Sequence, residues 1–176
     1  MKNEVTLKLS NLLAFVCIAI VCSCTTVDTP DDIAPIDWQS RLVEKLPLDS
    51  LRTGTTYLSV YSQIYSITQH RKHNLTATIS LRNTSPLDTL YIDKALYYDT
   101  HGKLIRSYIK KSIFIAPLET VEIVIDEIDK SGGTGANFIF DWTVIAKSTD
   151  PLFEGIMIST SGQQGLSFTT QGKRIK

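Results

Sequence analysis

Apolar and polar side chains alternate at every second position in much of the chain beyond Leu51. The clearest example is residues 75–82, in which each odd-numbered residue is apolar and each even-numbered residue is polar. Successive side chains of a β-strand point to opposite faces of a sheet, so this period predicts strands with one buried and one wet face. No segment beyond Leu51 has convincing helical periodicity. The domain is therefore predicted to be all-β.

Other short segments share this pattern and are separated by clusters of turn-forming residues. About eight short strands in such an arrangement predict an immunoglobulin-like β-sandwich, with a small β-barrel as the alternative. One row of apolar residues at alternate positions predicts the main core strand, and a shorter row predicts another. The first row is Phe138, Phe140, Trp142, Val144 and Ala146, and the second is Val121, Ile123 and Ile125. Further strands are predicted at residues 57–65, 90–98, 103–109, 155–160 and 166–169.

The composition allows one ordinary globular domain. The chain has 176 residues, 43% of them hydrophobic, and its 18 basic and 18 acidic side chains give no net charge. Binding to nucleic acid depends on a surplus of Lys and Arg that neutralises phosphates, so nucleic acid is not an expected partner.

All three cysteines lie in the first 24 residues, at Cys17, Cys22 and Cys24. Disulfides, thiol catalysis and cysteine-ligated zinc are therefore excluded for the rest of the chain.

Residues 12–22 form an uninterrupted run without a polar side chain. A membrane-spanning helix needs about 20 such residues, so this shorter run is typical of an export signal. Residues 21–24 resemble a bacterial lipobox, in which a small residue precedes the cysteine that is acylated. Only Cys24 has such a neighbour, Ser23, because valine precedes both Cys17 and Cys22. A soluble secreted protein and an uncleaved anchor are the alternatives.

These features predict three parts of the chain. Residues 1–23 are a lipoprotein signal peptide, residues 24–50 are the lipidated cysteine with a tether, and residues 51–176 are the β-sandwich domain. The polar residues 25–35 reach about 36 Å when extended. A short helix is predicted from Asp37, as its cap, to Leu46, before Pro47. The lipid on Cys24 would hold the protein in the membrane of a bacterial cell envelope, and Thr25 favours the outer membrane.

Several blocks, in order over about residues 55–175, resemble those of a bacterial lipoprotein family known only as domain of unknown function 3124. The resemblance implies an exported lipoprotein with one domain, and it implies no reaction, ligand or partner. The blocks are Val60-Tyr61-Ser62-Gln63-Ile64-Tyr65, Leu81-Arg82-Asn83-Thr84, Tyr97-Tyr98-Asp99 with Gly102-Lys103, Pro117-Leu118-Glu119-Thr120, Gly132-Gly133-Thr134-Gly135-Ala136-Asn137-Phe138 and Gln163-Gln164-Gly165-Leu166-Ser167-Phe168.

The sequence contains none of the common catalytic motifs, such as a Gly-x-Ser-x-Gly elbow, a His-Glu-x-x-His pair or a phosphate loop with Gly-Lys-Ser/Thr. Residues 70–73 place two histidines close together, but two ligands do not make a metal site, and a solvated basic turn is the favoured interpretation. The glycines at 132, 133 and 135 precede a predicted strand instead of the helix that a phosphate cradle needs. A tight turn is therefore favoured there. No metal or cofactor is expected.

Asp141 and a row of tyrosines suggest a binding surface. Asp141 lies in the middle of a predicted strand, on the face opposite the aromatic row. The ordinary explanation for an acid at this position is that its side chain faces solvent. Tyr57, Tyr61 and Tyr65 share one face of the strand predicted at 57–65. Tyrosine rows suit binding surfaces, although ordinary packing between strands explains them too.

The loops at 132–137 and 161–165 combine small residues with amides. If both lie at one end of the sandwich, they form a polar binding patch, and the alternative is that the glycines permit turns and the amides stabilise them. The candidate binding residues are Gly133, Gly135, Asn137, Asp141, Gln163 and Gln164. The favoured function is a non-catalytic lipoprotein domain that binds an unknown protein or an envelope component. The alternative is an envelope hydrolase that uses Asp141 and a second carboxylate.

Overall fold

The alternating segments form β-strands in the computed structural model, which describes residues 36–46, 50–160 and 165–176. The one helical element among them is a 3-10 turn at Gln39–Arg41. Within the described residues, no helix is long and apolar enough to cross a membrane. The strands are β1 (Leu51–Val60), β2 (Gln63–Ser66), β3 (Thr68–Asn74), β4 (Thr76–Arg82), β5 (Leu90–Tyr98), β6 (Leu104–Ile109), β7 (Ile113–Ile115), β8 (Thr120–Ile125), β9 (Ala136–Ile145), β10 (Leu152–Ser159), β11 (Leu166–Gln171) and β12 (Lys173–Arg174). Cys24, Gln163 and Gln164 lie outside the described residues.

Antiparallel pairing arranges these strands in two sheets and a ribbon. The first sheet has the order β12-β1-β9-β5-β6, and β7 pairs with the other half of β5. The second sheet has the order β11-β10-β4-β8, and within the described part of the chain β2 and β3 pair only with each other. The two sheets do not close into a barrel, so the prediction of an all-β sandwich is confirmed.

The core lies between the two sheets and is built around β9. This strand pairs with β1 along its whole length and with β5 on its other side. Phe138, Phe140, Trp142 and Val144 are buried as predicted, whereas Ala146 is exposed because β9 ends at Ile145 and the chain turns. The rings of Phe140 and Phe153 stack with centroids 4.4 Å apart and so join β9 of one sheet to β10 of the other. Face-to-face packing of this kind is what the alternating sequence requires.

The absence of a side chain at the glycine opposite Trp142 leaves room for the indole ring. Gly54 is its partner residue on β1, and a Cβ at that position would overlap the indole ring. The indole nitrogen donates a hydrogen bond of 2.9 Å to Thr56 Oγ1. The guanidinium groups of Arg52 and Arg174 lie 5.6 and 5.1 Å from the ring centroid. The largest buried side chain is therefore fixed by shape and by a hydrogen bond.

The strand predicted at 57–65 is interrupted. β1 ends at Val60, because Ser62 turns into the core and its hydroxyl bonds the buried Tyr97 phenol at 2.8 Å. The N–H of Gln63 then donates to the carbonyl of Gly133 at 3.1 Å, outside the β1 ladder. The three tyrosines at 57, 61 and 65 therefore do not form one continuous strand face, and that prediction is wrong.

Two other local predictions are wrong in their extent. The helix from Asp37 is only one turn: Asp37 Oδ1 accepts the N–H of Gln39 at 2.9 Å, but Leu42 already forms a β-bridge with Ile113. An extended partner strand thus replaces further helical turns. The basic turn at 70–73 is instead part of β3, which pairs with β2.

Candidate interaction surface

Asn137 and Asp141 lie on the same face of β9, with Ile139 between them. Their neighbours Phe138 and Phe140 point into the core, so the two polar residues are on the outer face of the first sheet. The period of two places them there, since their separation in sequence is an even number of residues. Two of the candidate residues are thus brought to one surface by the strand itself.

One hydrogen bond and one ion pair across the strands hold the Asp141 carboxylate. Thr55 Oγ1 donates to Asp141 Oδ1 at 2.9 Å, and the ammonium of Lys94 lies 3.5 Å from Asp141 Oδ2. The Lys94 side chain is 57% exposed and that of Asp141 is 34% exposed, so water screens this ion pair. Both carboxylate oxygens have partners, and the group lies on an open sheet face. This geometry suits pairing between strands better than proton transfer.

A strip of apolar side chains crosses the same face beside these polar groups. Ile139 pairs with Tyr57 on β1 and with Leu96 on β5. Tyr57 is 37% exposed, and Ile139 and Leu96 are half-buried. An outward row of this composition on three central strands is unusual, because the outer face of an antiparallel sheet is commonly polar.

Asn137 adjoins this strip at its next row. It pairs with Ser59 on β1 and with Tyr98 on β5. Its amide has no hydrogen-bond partner among the described residues, so a donor and an acceptor remain for a ligand. We call the set Tyr57, Ser59, Leu96, Tyr98, Asn137 and Ile139 the outer strip.

Leu96, Tyr98 and Ile139 belong to this surface and are not among the residues predicted from the sequence. The alternation of apolar and polar residues in β5 and β9 predicts that each of them faces outward. This alternation does not predict that β1, β9 and β5 are neighbours. The order of the strands in the sheet brings the three residues together.

Hydrogen bonds between the backbone of the glycine loop before β9 and residues Thr100 and Gln63 hold this loop in place. Gly133 has a φ of 70°, which glycine adopts without strain. Gly135 donates its N–H to Thr100 Oγ1 at 3.0 Å, and Thr100 in turn donates to the carbonyl of Gly132 at 3.0 Å. The Gly133 carbonyl accepts from Gln63. These contacts support the turn-forming role of Gly133 and Gly135, and their place in a binding patch stays a prediction.

The loop at 132–137 lies at the same end of the sandwich as the described ends of β10 and β11 that flank residues 161–164. The N–H of Leu75 donates to the Ser62 carbonyl, and Ser62 lies next to Gly132. Thr76, which follows Leu75, pairs with Ile158 near the end of β10. The strand order therefore meets the geometric condition for the predicted polar patch. Gln163 and Gln164 lie outside the described residues, so the patch itself stays a prediction.

The buried phenol of Tyr97 is close to this end but does not suit acid–base chemistry. Its burial, partly opposed by the hydrogen bond with Ser62, raises the pKa of Tyr97 to about 12. A group with such a pKa stays protonated at neutral pH and is a poor proton donor or acceptor. The Tyr97 and Ser62 pair is thus a satisfied part of the core.

A cleft of about 280 Å³ lies elsewhere, between the 3-10 turn and the connection from β6 to β7. Trp38, Leu42, Tyr108 and Ile113 give it an apolar lining, and Lys110 and Lys111 lie beside them. Its lining contains no carboxylate and no histidine. Among the residues that the structure describes, no group of three or more His, Cys, Asp or Glu side chains is arranged to hold a metal.

Comparison with known proteins gives a family and little else. The model of a family described as "Protein of unknown function (DUF3124)" matches residues 53–175. No curated protein matches the chain. A solved structure described as "Crystal Structure of Thermotoga maritima 1070" has 10% sequence identity and a TM-score of 0.45, with 68% of this chain and 92% of that chain covered. A likeness that weak says nothing about function.

Proposed function

Because this chain belongs to the family of proteins of unknown function described as DUF3124, whose description states no activity, we propose its function from its own residues. It is a bacterial envelope lipoprotein that is anchored through an acylated Cys24. Its β-sandwich is a non-catalytic domain that binds a protein partner or another component of the envelope.

The N-terminal sequence supports the anchor. An apolar run of export-signal length is followed by Ser23 and Cys24, and valine precedes each of the other two cysteines. Two or three acyl chains on one cysteine give stable membrane attachment, whereas one chain gives only marginal binding. The polar segment 25–35 then separates the domain from the lipid by at most about 36 Å.

The outer strip is the observation that carries the binding role. Half-exposed Tyr57, Ile139 and Leu96 lie in one row, and beside them lies the side-chain amide of Asn137, which has no hydrogen-bond partner within the described residues. Interfaces are enriched in aromatic residues and depleted in charge at their centre, with polar groups around it. The outer strip has this composition, and Asp141 and Lys94 form its charged border.

The hydrolase alternative receives no such support. Asp141 is hydrogen-bonded to Thr55 and paired with Lys94 on an open face, and the cleft at Trp38 contains no carboxylate. A glycosidase-type mechanism needs two carboxyl groups about 5 to 10 Å apart across a bound substrate. The geometry around Asp141 favours a structural role.

Photo-crosslinking in intact cells tests the binding surface with a matched pair of positions. Ile139 and Ile156 are both half-buried isoleucines that point outward from central strands, the first on β9 and the second on β10 of the other sheet. A photoreactive residue at 139 is expected to give crosslinked products that the same residue at 156 does not give. Identical products at both positions, or none at 139, would contradict the proposal.

A second variant tests the predicted polar patch separately. Gln163→Ala combined with Gln164→Ala is expected to remove the crosslinked partner and leave the unfolding midpoint unchanged if these amides bind a ligand. If they instead stabilise a turn, stability falls by about 1 kcal/mol for each lost buried hydrogen bond, and crosslinking persists. The second result would restrict the binding surface to the outer strip.

A further inference from the structure

The ribbon formed by β2 and β3 ends in an isoleucine whose backbone conformation is rare for that residue. Ile67 has a φ of 64° and is 85% exposed. A β-branched residue in the left-handed region is a genuine outlier, because its side chain crowds its own backbone. Glycine or asparagine adopts this conformation far more easily and would also be better hydrated. An isoleucine at this tip is therefore unfavourable in water, because its backbone is strained and its apolar side chain is exposed.

The ribbon behind this tip is basic. His70, Arg71 and Lys72 are exposed on β3, and no Asp or Glu occurs anywhere from residue 51 to residue 87. In the described part of the chain, neither Arg71 nor Lys72 forms an ion pair. The Lys72 ammonium lies 5.4 Å from the ring centroid of Tyr65, which is 56% exposed. Uncompensated cations thus stand directly behind an apolar tip.

We infer that this ribbon inserts its tip into the surface of an anionic phospholipid bilayer. Ile67 enters the acyl boundary, and Tyr65 takes the interfacial level that amphipathic aromatic rings prefer. Arg71 and Lys72 pair with lipid phosphates, since juxtamembrane basic residues are attracted to anionic leaflets. Insertion removes Ile67 from water, which compensates for its strained backbone.

The inference rests on the proposed lipid anchor, which supplies the membrane. One isoleucine, one tyrosine and two permanent cations bind a bilayer only weakly by themselves. A tether of limited reach raises the local concentration of the bilayer around the ribbon, so a weak interaction becomes sufficient to orient the domain. The ribbon is therefore expected to set the orientation of the sandwich and to add little to attachment.

Depth measurements with a spin label test the insertion. The full acylated chain carrying Ile67→Cys is labelled and reconstituted in vesicles of phosphatidylcholine with or without phosphatidylglycerol. In the anionic vesicles, the label is expected to collide more with oxygen and less with a water-soluble nickel complex. Leu87→Cys is the matched control, because Leu87 is 84% exposed in the connection between β4 and β5. A label at 67 that is as open to nickel as the label at 87 would overturn the inference.

Charge variants separate the ribbon from general electrostatic attraction. Arg71→Gln with Lys72→Gln, made in the labelled Ile67→Cys chain, is expected to return the label to water. The control is Lys110→Gln with Lys111→Gln, which removes two exposed charges between β6 and β7 and is expected to leave the depth unchanged. An equal effect of both pairs would overturn the role of the ribbon.

Flotation of the same samples distinguishes failure of the anchor from failure of the ribbon. If the chain purified from cells does not float with neutral vesicles, the proposed lipid anchor is wrong. If the chain floats while the label at 67 stays in water in anionic vesicles, the anchor stands and the ribbon inference is wrong. Protein adducts from a photoreactive residue at 67 in cells, in place of lipid adducts, would also overturn it.

Discussion

Strands β3 and β4 follow one another with only Leu75 between them, yet they differ in almost every physical respect. Every residue of β3 is exposed or half-buried, and β2 is its one partner among the described strands. In β4, Ala77, Ile79 and Leu81 are fully buried, and the strand lies between β10 and β8. Backbone pairing alone therefore suffices to make a strand in this protein, whereas apolar alternation decides whether the strand belongs to the core.

The same difference separates the surfaces on which function is proposed. The outer strip belongs to strands whose opposite face is buried, so its side chains are held in a fixed arrangement. No residue of β2 or β3 is fully buried, and of their side chains only Ile64 packs against the core, which is typical of segments that open locally at low free energy. A rigid surface suits recognition of a partner, and a loosely held tip suits insertion into a bilayer.

Trp142→Ala should show the largest difference between the core and the ribbon, measured as a loss in the free energy of unfolding. The substitution leaves a cavity in the core and removes the hydrogen bond to Thr56, so we expect a loss of about 3–5 kcal/mol in the free energy of unfolding. Tyr65→Ala in the ribbon is expected to change it by no more than about 0.5 kcal/mol. Urea denaturation of both variants measures the difference. An unchanged midpoint for Trp142→Ala would show that the core is wrongly placed.

Amide hydrogen exchange should separate the two regions without any mutation. The amides of the ribbon are expected to exchange at least about a hundredfold faster than the paired amides of β4 and β9, because they open without unfolding of the sandwich. This ratio corresponds to about 2.7 kcal/mol in the free energy of opening. Equal protection of β3 and β4 would mean that the ribbon is part of the cooperative core.

Ile67→Asn should strengthen the ribbon alone. Asparagine tolerates the left-handed conformation, and the relief of strain is about 1 kcal/mol, which slows exchange of the ribbon amides about fivefold. The urea midpoint of the whole domain should not move, since the ribbon opens independently. Faster exchange in this variant would contradict the strain assigned to Ile67.

Glu119→Gln should have a small effect on stability, and the effect depends on pH. Arg41 donates to Glu119 Oε1 at 2.6 Å, and this hydrogen bond, partly opposed by burial, lowers the pKa of Glu119. A lowered pKa in the folded state contributes stability at neutral pH, and this contribution is lost as pH falls through and below the ordinary glutamate value of about 4.3. The variant should be less stable than the native chain by about 0.5–1 kcal/mol at pH 7, and this difference should shrink as the pH falls below the ordinary glutamate value.

The matched control for this pair is Glu127→Gln. Within the described residues Glu127 forms no ion pair, so its substitution should change the free energy of unfolding at pH 7 less than Glu119→Gln does. The ion pair of Arg41 and Glu119 joins the segment that contains the 3-10 turn to the sandwich. No residue of the ribbon forms an ion pair within the described residues. A constant difference between Glu119→Gln and the native chain at every pH would contradict the assignment.

The sequence predicted the sandwich because burial on one face of each core strand leaves a period of two. It failed at β3, since seven consecutive residues without an apolar side chain look like a polar turn. It also failed at Ser62, where one hydroxyl bonded to Tyr97 takes the chain out of β1. The outward positions of Asn137 and Asp141 followed from the period, but the outer strip depends on the order of the strands. That order comes from contacts between residues distant in sequence, which no local pattern records.

Acylation of Cys24 is the central claim, because both the envelope location and the role of the ribbon depend on it. Metabolic labelling of expressing cells with a fatty-acid analogue tests it most directly, with Cys22→Ser as the matched control for Cys24→Ser. We expect the native chain and Cys22→Ser to take up the label, and Cys24→Ser to remain unlabelled and accumulate as unprocessed precursor. Label retained in Cys24→Ser, or absent from the native chain, would contradict the account.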